Sequence, residues 1–528
     1  MAQKTTKTAK TLDMQRCEGL SPKALGSINK LGRPNDSYTE KKLNKLGSVL
    51  RRNNELGLRD KYTMSEAVKC IIEMYRSRMD YYQKYIKGIR TPLFKKNTFC
   101  GNILADASSV MLTDKYKSII NTHIAHCSSV WLCPVCSSII QSKRADDVQR
   151  AIDWAKGISY IKNKLTGELE PVANDNDYQV VMITFTASHN VKMSLIEFGE
   201  KLQKAYVMMM KNIRKSRKKY EVGYIKGVEF THSYRNGWHK HYHVILILKK
   251  ECDIDSYFAT IKNSWETACV KNGLLDSSNE KAVFDFREHS VDLIRSAEEI
   301  SNYVNKSSKE WTLADEMSKS VLKIGHNNEH RTPFQILSDI ATTKDKKQRY
   351  KDIDVFVEYM LYTYGLHQQD WSNGLKDAVG IRDLSDEEII DENQDTAEYI
   401  AGLTVAHWHL IRSKYQRIQY FLAAKEGYES LKAFFDKLDT ENTLPDMLTG
   451  EQARIYEKGL EGIPFTDDKE ATVYYDMIPI LRAIAKTQPL TYVGDENSPH
   501  NKSFEHMQNI KGVKSDDFYT TAEQNHPN

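Results

Sequence analysis

Three histidines at two-residue spacing, His239, His241 and His243 in "GWHKHYHVILIL", carry the strongest chemical signal in the sequence. Side chains alternate across a strand, so the three imidazoles share one face while Trp238, Tyr242 and Val244 point to the other. Neutral imidazole is a common metal ligand, and two of them two residues apart on a strand can converge on one ion. The preceding "GVEFTH" offers Glu229. A carboxylate beside imidazoles suits Mg²⁺ or Mn²⁺ and leaves positions open for a phosphate. A two-residue turn at Asn236-Gly237 would set Glu229 opposite Val244 and His232 opposite His241, whereas an odd-length loop or a bulge would set Glu229 opposite His243. Glu229 is the expected third ligand, and His232 the alternative.

Two further groups have chemical potential. In "EEISNYVNKSSKE", Glu299, Tyr303 and Lys306 fall four and three residues apart, along one stripe of a helix. A phenol there can be a covalent nucleophile, a carboxylate can activate water, and a metal can polarise a phosphoryl oxygen. Cys100, Cys127, Cys133 and Cys136 are spaced C-x26-C-x5-C-x2-C and end in "CPVC", a knuckle form of structural zinc sites. Four thiolates would hold a Zn²⁺ that folds the region, with His123 or His126 able to replace the distant Cys100. The other four cysteines are scattered, so the eight do not form a disulfide scaffold.

The elements that must position these groups follow from periodicity. "YQVVMITFTAS", "YIKGVEFTHS", "WHKHYHVILIL" and "AVFDFRE" read as strands, and "SLIEFGEKLQKAYVMMMKNIRK", "IDSYFATIKNSWETACVKNG" and "SAEEISNYVNKSSKEW" as helices. The fold class is therefore α+β, an antiparallel sheet with helices packed on it. "SEAVKCIIEMYRSRMDYYQKYI" (65–86) and "SKRADDVQRAIDWA" are helical, and "TGELEPVANDND" (166–177) reads as a linker. Beyond residue 345 the chain reads mostly as helix, "HWHLIRSKYQRIQYFLAAKEGYESLKAFFDKL" being the clearest piece. The expected organisation is a basic flexible arm and helix (1–90), a zinc-binding region (91–170), the sheet domain (171–345), a helical region (346–490) and a disordered tail (491–528).

Charge and composition narrow the partners. Residues 1–60 carry 13 Lys/Arg against 6 Asp/Glu, and "KNIRKSRKKY" (211–220) is basic at six of ten positions, as a nucleic-acid partner would require. The absence of a "GxxxxGK[ST]" loop argues against an ATPase module. No apolar run is long enough to span a bilayer, so the expectation is a soluble, cytoplasmic protein with no membrane partner.

Taken in order, "MITFTASH" (182–189), "HYH" (241–243) and "EEISNYVNK" resemble the three motifs of the HUH endonuclease superfamily, and specifically the replication initiator (Rep) proteins of rolling-circle plasmids. "RTPFQILSDI" (331–340) and "GLHQQDWSNGLKDAVGIRDLSDEE" (365–388) extend the resemblance over roughly residues 95–390. It implies an HUH nuclease core in which His241, His243 and Glu229 hold the catalytic Mg²⁺ or Mn²⁺. Tyr303 would attack a scissile phosphate to leave a 5′-phosphotyrosyl link and a free 3′-OH. Glu299 would activate the water that ends the cycle, and Lys306 would lie near the phosphate. Double-stranded origin DNA and a single-stranded nick site are the implied partners, with a host helicase or a second copy left open for the C-terminal region. A relaxase, a single-strand transposase, a non-catalytic origin-binding protein and a water-only phosphodiesterase are the alternatives. His239 exceeds the family's minimal pair.

Overall fold

The computed structural model describes residues 37–76, 94–113, 118–163, 169–295, 330–391 and 397–487. The chain divides into two compact units, one of Met1–Gly47, Cys70–Leu93 and Ser129–Asp386, the other of Ser48–Lys69, Phe94–Ser128 and Glu387–Asn528. Both are α+β with antiparallel sheets. In chain order the strands are β1 (Ala107–Thr113), β2 (Ile119–Asn121), β3 (Ile158–Lys162), β4 (Leu169–Ala173), β5 (Gln179–Phe185), β6 (Glu221–Ser233), β7 (Gly237–Leu248), β8 (Val291–Ile294), β9 (Gln369–Trp371), β10 (Ala397–Thr404) and β11 (Leu448–Thr449). Among the described residues, no helix is long and apolar enough to cross a membrane.

The first unit is organised by a five-stranded sheet in the order β8-β5-β7-β6-β9. The run "YHVILIL" makes β7 the central strand: a strand hydrogen-bonded on both sides and covered on both faces needs apolar residues in both alternating sets. Tyr242 to Leu248 are all buried. On the face shared with the histidines, Ile245 and Ile247 pack with Met182, Ile225 and the helix Pro134–Ala155, through Val148, Ala151 and Ile152. The opposite face is aromatic. Phe185 lies 5.3 Å from Trp265 and 5.8 Å from Tyr206, whose ring is 5.1 Å from Tyr242. The helices Leu195–Asn212 and Ile254–Lys271 supply Tyr206 and Trp265, and each starts at a side-chain cap, Ser194 and Asp253.

β6 and β7 form a long hairpin paired from Glu221↔Leu248 to Ser233↔Gly237. A three-residue loop, 234–236, closes it. Gly237 enters β7 at φ +79°, and a Cβ there would stand 3.1 Å from the Val191 Cα, so the position demands glycine on both counts. The outer edge of β6 is held at both ends. β9 pairs with Ile225 to Gly227, and Arg331 exchanges two backbone hydrogen bonds with His232. "RTPFQ" is thereby accounted for physically: Arg331 also binds Asp339 (2.9 Å) and Asp352 (2.7 Å), while Thr332, Pro333 and Gln335 form a capping box that starts the helix Pro333–Thr342.

In the second unit, β11-β10-β1-β2 form a four-stranded sheet. Val110, Ala401 and Leu403 pack with Trp408, Tyr420 and Phe435, while Ala107 and Leu448 pack with Ile455, Tyr456 and Leu481.

Several sequence expectations need correction. "AVFDFRE" is part of a helix, Glu280–His289: Asn279 caps its N-terminus, Arg287 and His289 complement its C-terminal dipole, and only Phe286 is buried. These end signals outweigh the β-propensity of Val283 and Phe284. The linker reading of 166–177 gives way to β4, which pairs with β3 in a ribbon. The long helix from His407 breaks into Val405–Ser413, Arg417–Lys425 and Tyr428–Leu438, with Tyr415 (φ 54°) and Gly427 (φ 98°) in left-handed backbone at the breaks. The N-terminal arm, the C-terminal tail and the stretch "SAEEISNYVNKSSKEW" lie outside the described residues.

Candidate metal centre

The register of three strands builds the site. Glu229 on β6 lies directly across from His241, and Thr184 on β5 directly across from His243. Cross-strand partners share a face, so Glu229, His241, His243 and Thr184 all project to one side. This differs from both registers weighed from the sequence. The loop has an odd number of residues, but it is one residue longer than the two-residue turn and pairs Glu229 with His241 rather than with His243 or Val244. His232, the alternative ligand, pairs with Trp238 and faces the other side, its ring 5.0 Å from the Trp238 ring.

The three ligating atoms are crowded together. Glu229 Oε2 is 2.9 Å from His243 Nε2 and 3.2 Å from His241 Nε2, and the two Nε2 atoms are 3.1 Å apart. Adjacent ligands of a six-coordinate Mg²⁺ at its bond length of ~2.0–2.1 Å are about 3 Å apart, so one carboxylate and two imidazoles fit one face of such an ion. Glu229 and His243 are buried and His241 is half-buried, which leaves the site approachable from the His241 side.

Thr184 settles how His243 is held. Its Oγ1 is 3.0 Å from His243 Nδ1. The tautomer that donates Nδ1–H to this hydroxyl turns the Nε2 lone pair toward Glu229 and His241, which is the ligating form. The sequence signal for this role is the two-residue spacing of Thr184 and Thr186 within "MITFTASH", which repeats that of the histidines. Thr186 engages the other ring nitrogen of His239, its Oγ1 lying 3.2 Å from Nε2, the atom that ligates in His241 and His243. His239 is thus outside the ligating group. Burial, reinforced by the neighbouring His241 and His189, pushes its pKa well below the usual histidine range. Glu358 was also missed. Its carboxylate accepts from the Leu195 backbone N–H (2.7 Å) and from Trp238 Nε1 (3.1 Å), tying the start of a helix to the first turn of β7. Burial raises its pKa, and no local pattern in "DIDVFVEYMLYTYGL" marks it.

Two groups among the described residues could hold a metal ion: Glu229 with His241 and His243, and the buried cysteines Cys100, Cys127, Cys133 and Cys136. In the first unit, Cys133 is the N-cap of the helix Pro134–Ala155, its sulfur accepting from the Cys136 N–H. In the second, Asn97 donates to Cys127 Sγ (3.4 Å) and Lys69 to the Cys100 carbonyl (2.6 Å). His123, considered as a substitute ligand, is engaged by Glu457 at 2.7 Å. Glu299, Tyr303 and Lys306 lie outside the described residues.

The chain is 22% identical over 409 residues to "Protein rep" of Streptomyces lividans, an alignment covering 63% of this chain and 84% of that protein. No solved structure gives a significant match. The family described as "Replication protein" matches residues 123–416. These likenesses support a plasmid replication initiator, and the HUH superfamily is consistent with them. Covering more than half of the chain and the whole sheet that carries Glu229, His241 and His243, the family match means that the chain belongs to the replication protein family.

Proposed function

We propose that the chain initiates rolling-circle replication of a plasmid by nicking one strand at the origin through a 5′-phosphotyrosyl intermediate, and that it rejoins or releases the strand at termination. The observation that carries this reading is the convergence of Glu229, His241 and His243 on one sheet face. These residues would hold Mg²⁺ or Mn²⁺, which when bound withdraws charge from a phosphoryl oxygen. The Tyr303 oxygen attacks the scissile phosphorus, the bond to the 3′ oxygen breaks, and that oxygen leaves as a 3′-OH for a polymerase to extend. At termination Glu299 takes a proton from the water that displaces the tyrosine, and Lys306 balances phosphate charge. The four cysteines would bind Zn²⁺ as a fold element. Origin duplex and an unpaired nick site are the substrates, since a tyrosine can reach its phosphodiester only in an exposed strand.

The test uses a labelled single-stranded oligonucleotide carrying the parent plasmid's nick region, with Mn²⁺. Wild type is expected to give a denaturation-resistant protein–DNA adduct and Tyr303→Phe none. Binding without an adduct in either would replace the nuclease with an origin-binding protein, and cutting by Tyr303→Phe would replace it with a water-dependent phosphodiesterase.

A further inference from the structure

Beside the metal centre lies a small cavity that the nicking chemistry does not use. It has a volume of about 250 Å³ and is lined by Ser188, His189 and Met193 on the loop after β5, and by Leu274, Leu275 and Asp276 after the helix Ile254–Lys271. That is smaller than the ~300 Å³ at which drug-sized sites begin, so it suits a single ring system. Its lining is mixed in the manner of a base site. Met193, Leu274 and Leu275 supply an apolar wall, His189 an aromatic ring, and Ser188 and Asp276 an exposed polar rim.

His189 links this cavity to the metal centre. Its ring is 4.8 Å from that of His239, which is 5.0 Å from that of His241. A strand with one phosphate at Glu229, His241 and His243 therefore passes the mouth of the cavity within its next nucleotides. His189 is itself held in place: its ring lies 5.3 Å from Phe198, and Nδ1 is 3.4 Å from the Ala187 carbonyl. Fixed aromatic surface next to a phosphate site is how single strands are gripped, each base presenting a flat face for stacking.

We propose that this cavity receives one unpaired nucleobase of the nicked strand, next to the scissile phosphate, and that His189 is its stacking partner. The rim favours a base with amino or imino N–H groups on its pairing edge, because the Asp276 carboxylate can only accept. The proposal rests on the nuclease reading for the position of the phosphate, and its test separates the two.

Full-length zinc-loaded protein is titrated without chelator and without added Mg²⁺ or Mn²⁺, by fluorescence anisotropy, with the nick-region oligonucleotide and with versions carrying a single abasic site at each position in turn. One position beside the nick is expected to cost wild type about tenfold in affinity, in line with the stacking contribution of one base. His189→Ala and Ser188→Trp are expected to lose a similar factor on the intact oligonucleotide and nothing more on that abasic version. Ser188 is exposed, so Ser188→Trp fills the mouth without disturbing the core. Additive losses, or no sensitive position, would overturn the proposal. If wild type forms the covalent adduct with Mn²⁺ but shows no such coupling, the base site falls and the nuclease stands. If it forms no adduct but the coupling holds, the reverse is true.

Discussion

Replacing Thr184 with valine removes one hydroxyl while keeping the branched shape that the strand requires. The atom at stake is His243 Nδ1, 3.0 Å from Thr184 Oγ1, with Thr184 7% and His243 3% exposed, so water cannot easily stand in for the lost partner. A buried polar group left unpaired costs ~1–3 kcal/mol. Hydrogen-bond partners behind a ligating imidazole are typically worth 10–100-fold in metal affinity, or about 1.4–2.7 kcal/mol, so two independent routes give the same range. Thr184→Val should therefore weaken Mn²⁺ binding by about 10–100-fold by isothermal titration. Thr184→Ser, which restores the oxygen, should recover most of it. Urea unfolding without metal separates the folding cost from the ligand effect. Mn²⁺ affinity within twofold of wild type in Thr184→Val would refute the argument that this hydroxyl fixes the ligating tautomer.

Two further outcomes follow from the same physics. Burial holds His407 of the second unit down at about 4, whereas an unfolded imidazole titrates near 6.5. Between those values the unfolded chain takes up a proton that the folded one refuses, so stability is full at neutral pH and falls as the pH drops through this window. At pH 5 the loss is about 2 kcal/mol relative to pH 7. Urea unfolding of His407→Phe at the two pH values should show that much less dependence, and parallel curves for variant and wild type would contradict it. For the cysteines, elemental analysis should find one Zn²⁺ per purified chain, lost in Cys133→Ser together with a lower melting temperature. A zinc-free wild type indifferent to chelators would remove zinc from the account.

Much of the site was legible because strand alternation is strict. The shared face of His239, His241 and His243, and the choice of Glu229 over His232, follow from the period of two once the parity of the hairpin loop is known. The loop length itself was not legible. Asn236-Gly237 is a strong two-residue turn signal, but Gly237 serves here as the first residue of β7, with the turn displaced to 234–236 and Ser233 Oγ accepting from the Asn236 N–H. The ribbon of β3 and β4 was missed for a related reason. Pro171 and the polar residues around it mimic a linker, and a strand exposed along its length has no buried face to impose alternation. Glu358 and Arg331 were invisible as positioning residues because their partners lie far away in the chain, and only the tertiary fold brings them together.

The same face of one sheet carries hydrophobic core at one end and the candidate metal ligands at the other, and this division explains the run that follows the histidines. Moving along β7 from His239 to Ile247, every second residue faces one way, and the change from imidazole to isoleucine falls between His243 and Ile245. Val148, Ala151 and Ile152 of the helix Pro134–Ala155 lie with Ile245 and Ile247 and dehydrate that half of the face. A metal ligand needs its backbone fixed to within about half an ångström, and a loop cannot supply that. Here the last ligand is two residues from the packed core on a central strand hydrogen-bonded on both sides, so displacing His243 would require unzipping β5 or β6. The helix that covers this half begins at Cys133, whose sulfur caps it. Fixing that cysteine thus fixes the N-terminal end of the element that clamps β7. On this argument loss of an ion from the cysteines should reach the Glu229, His241 and His243 group through packing, and Cys133→Ser should weaken Mn²⁺ binding there without touching any of the three.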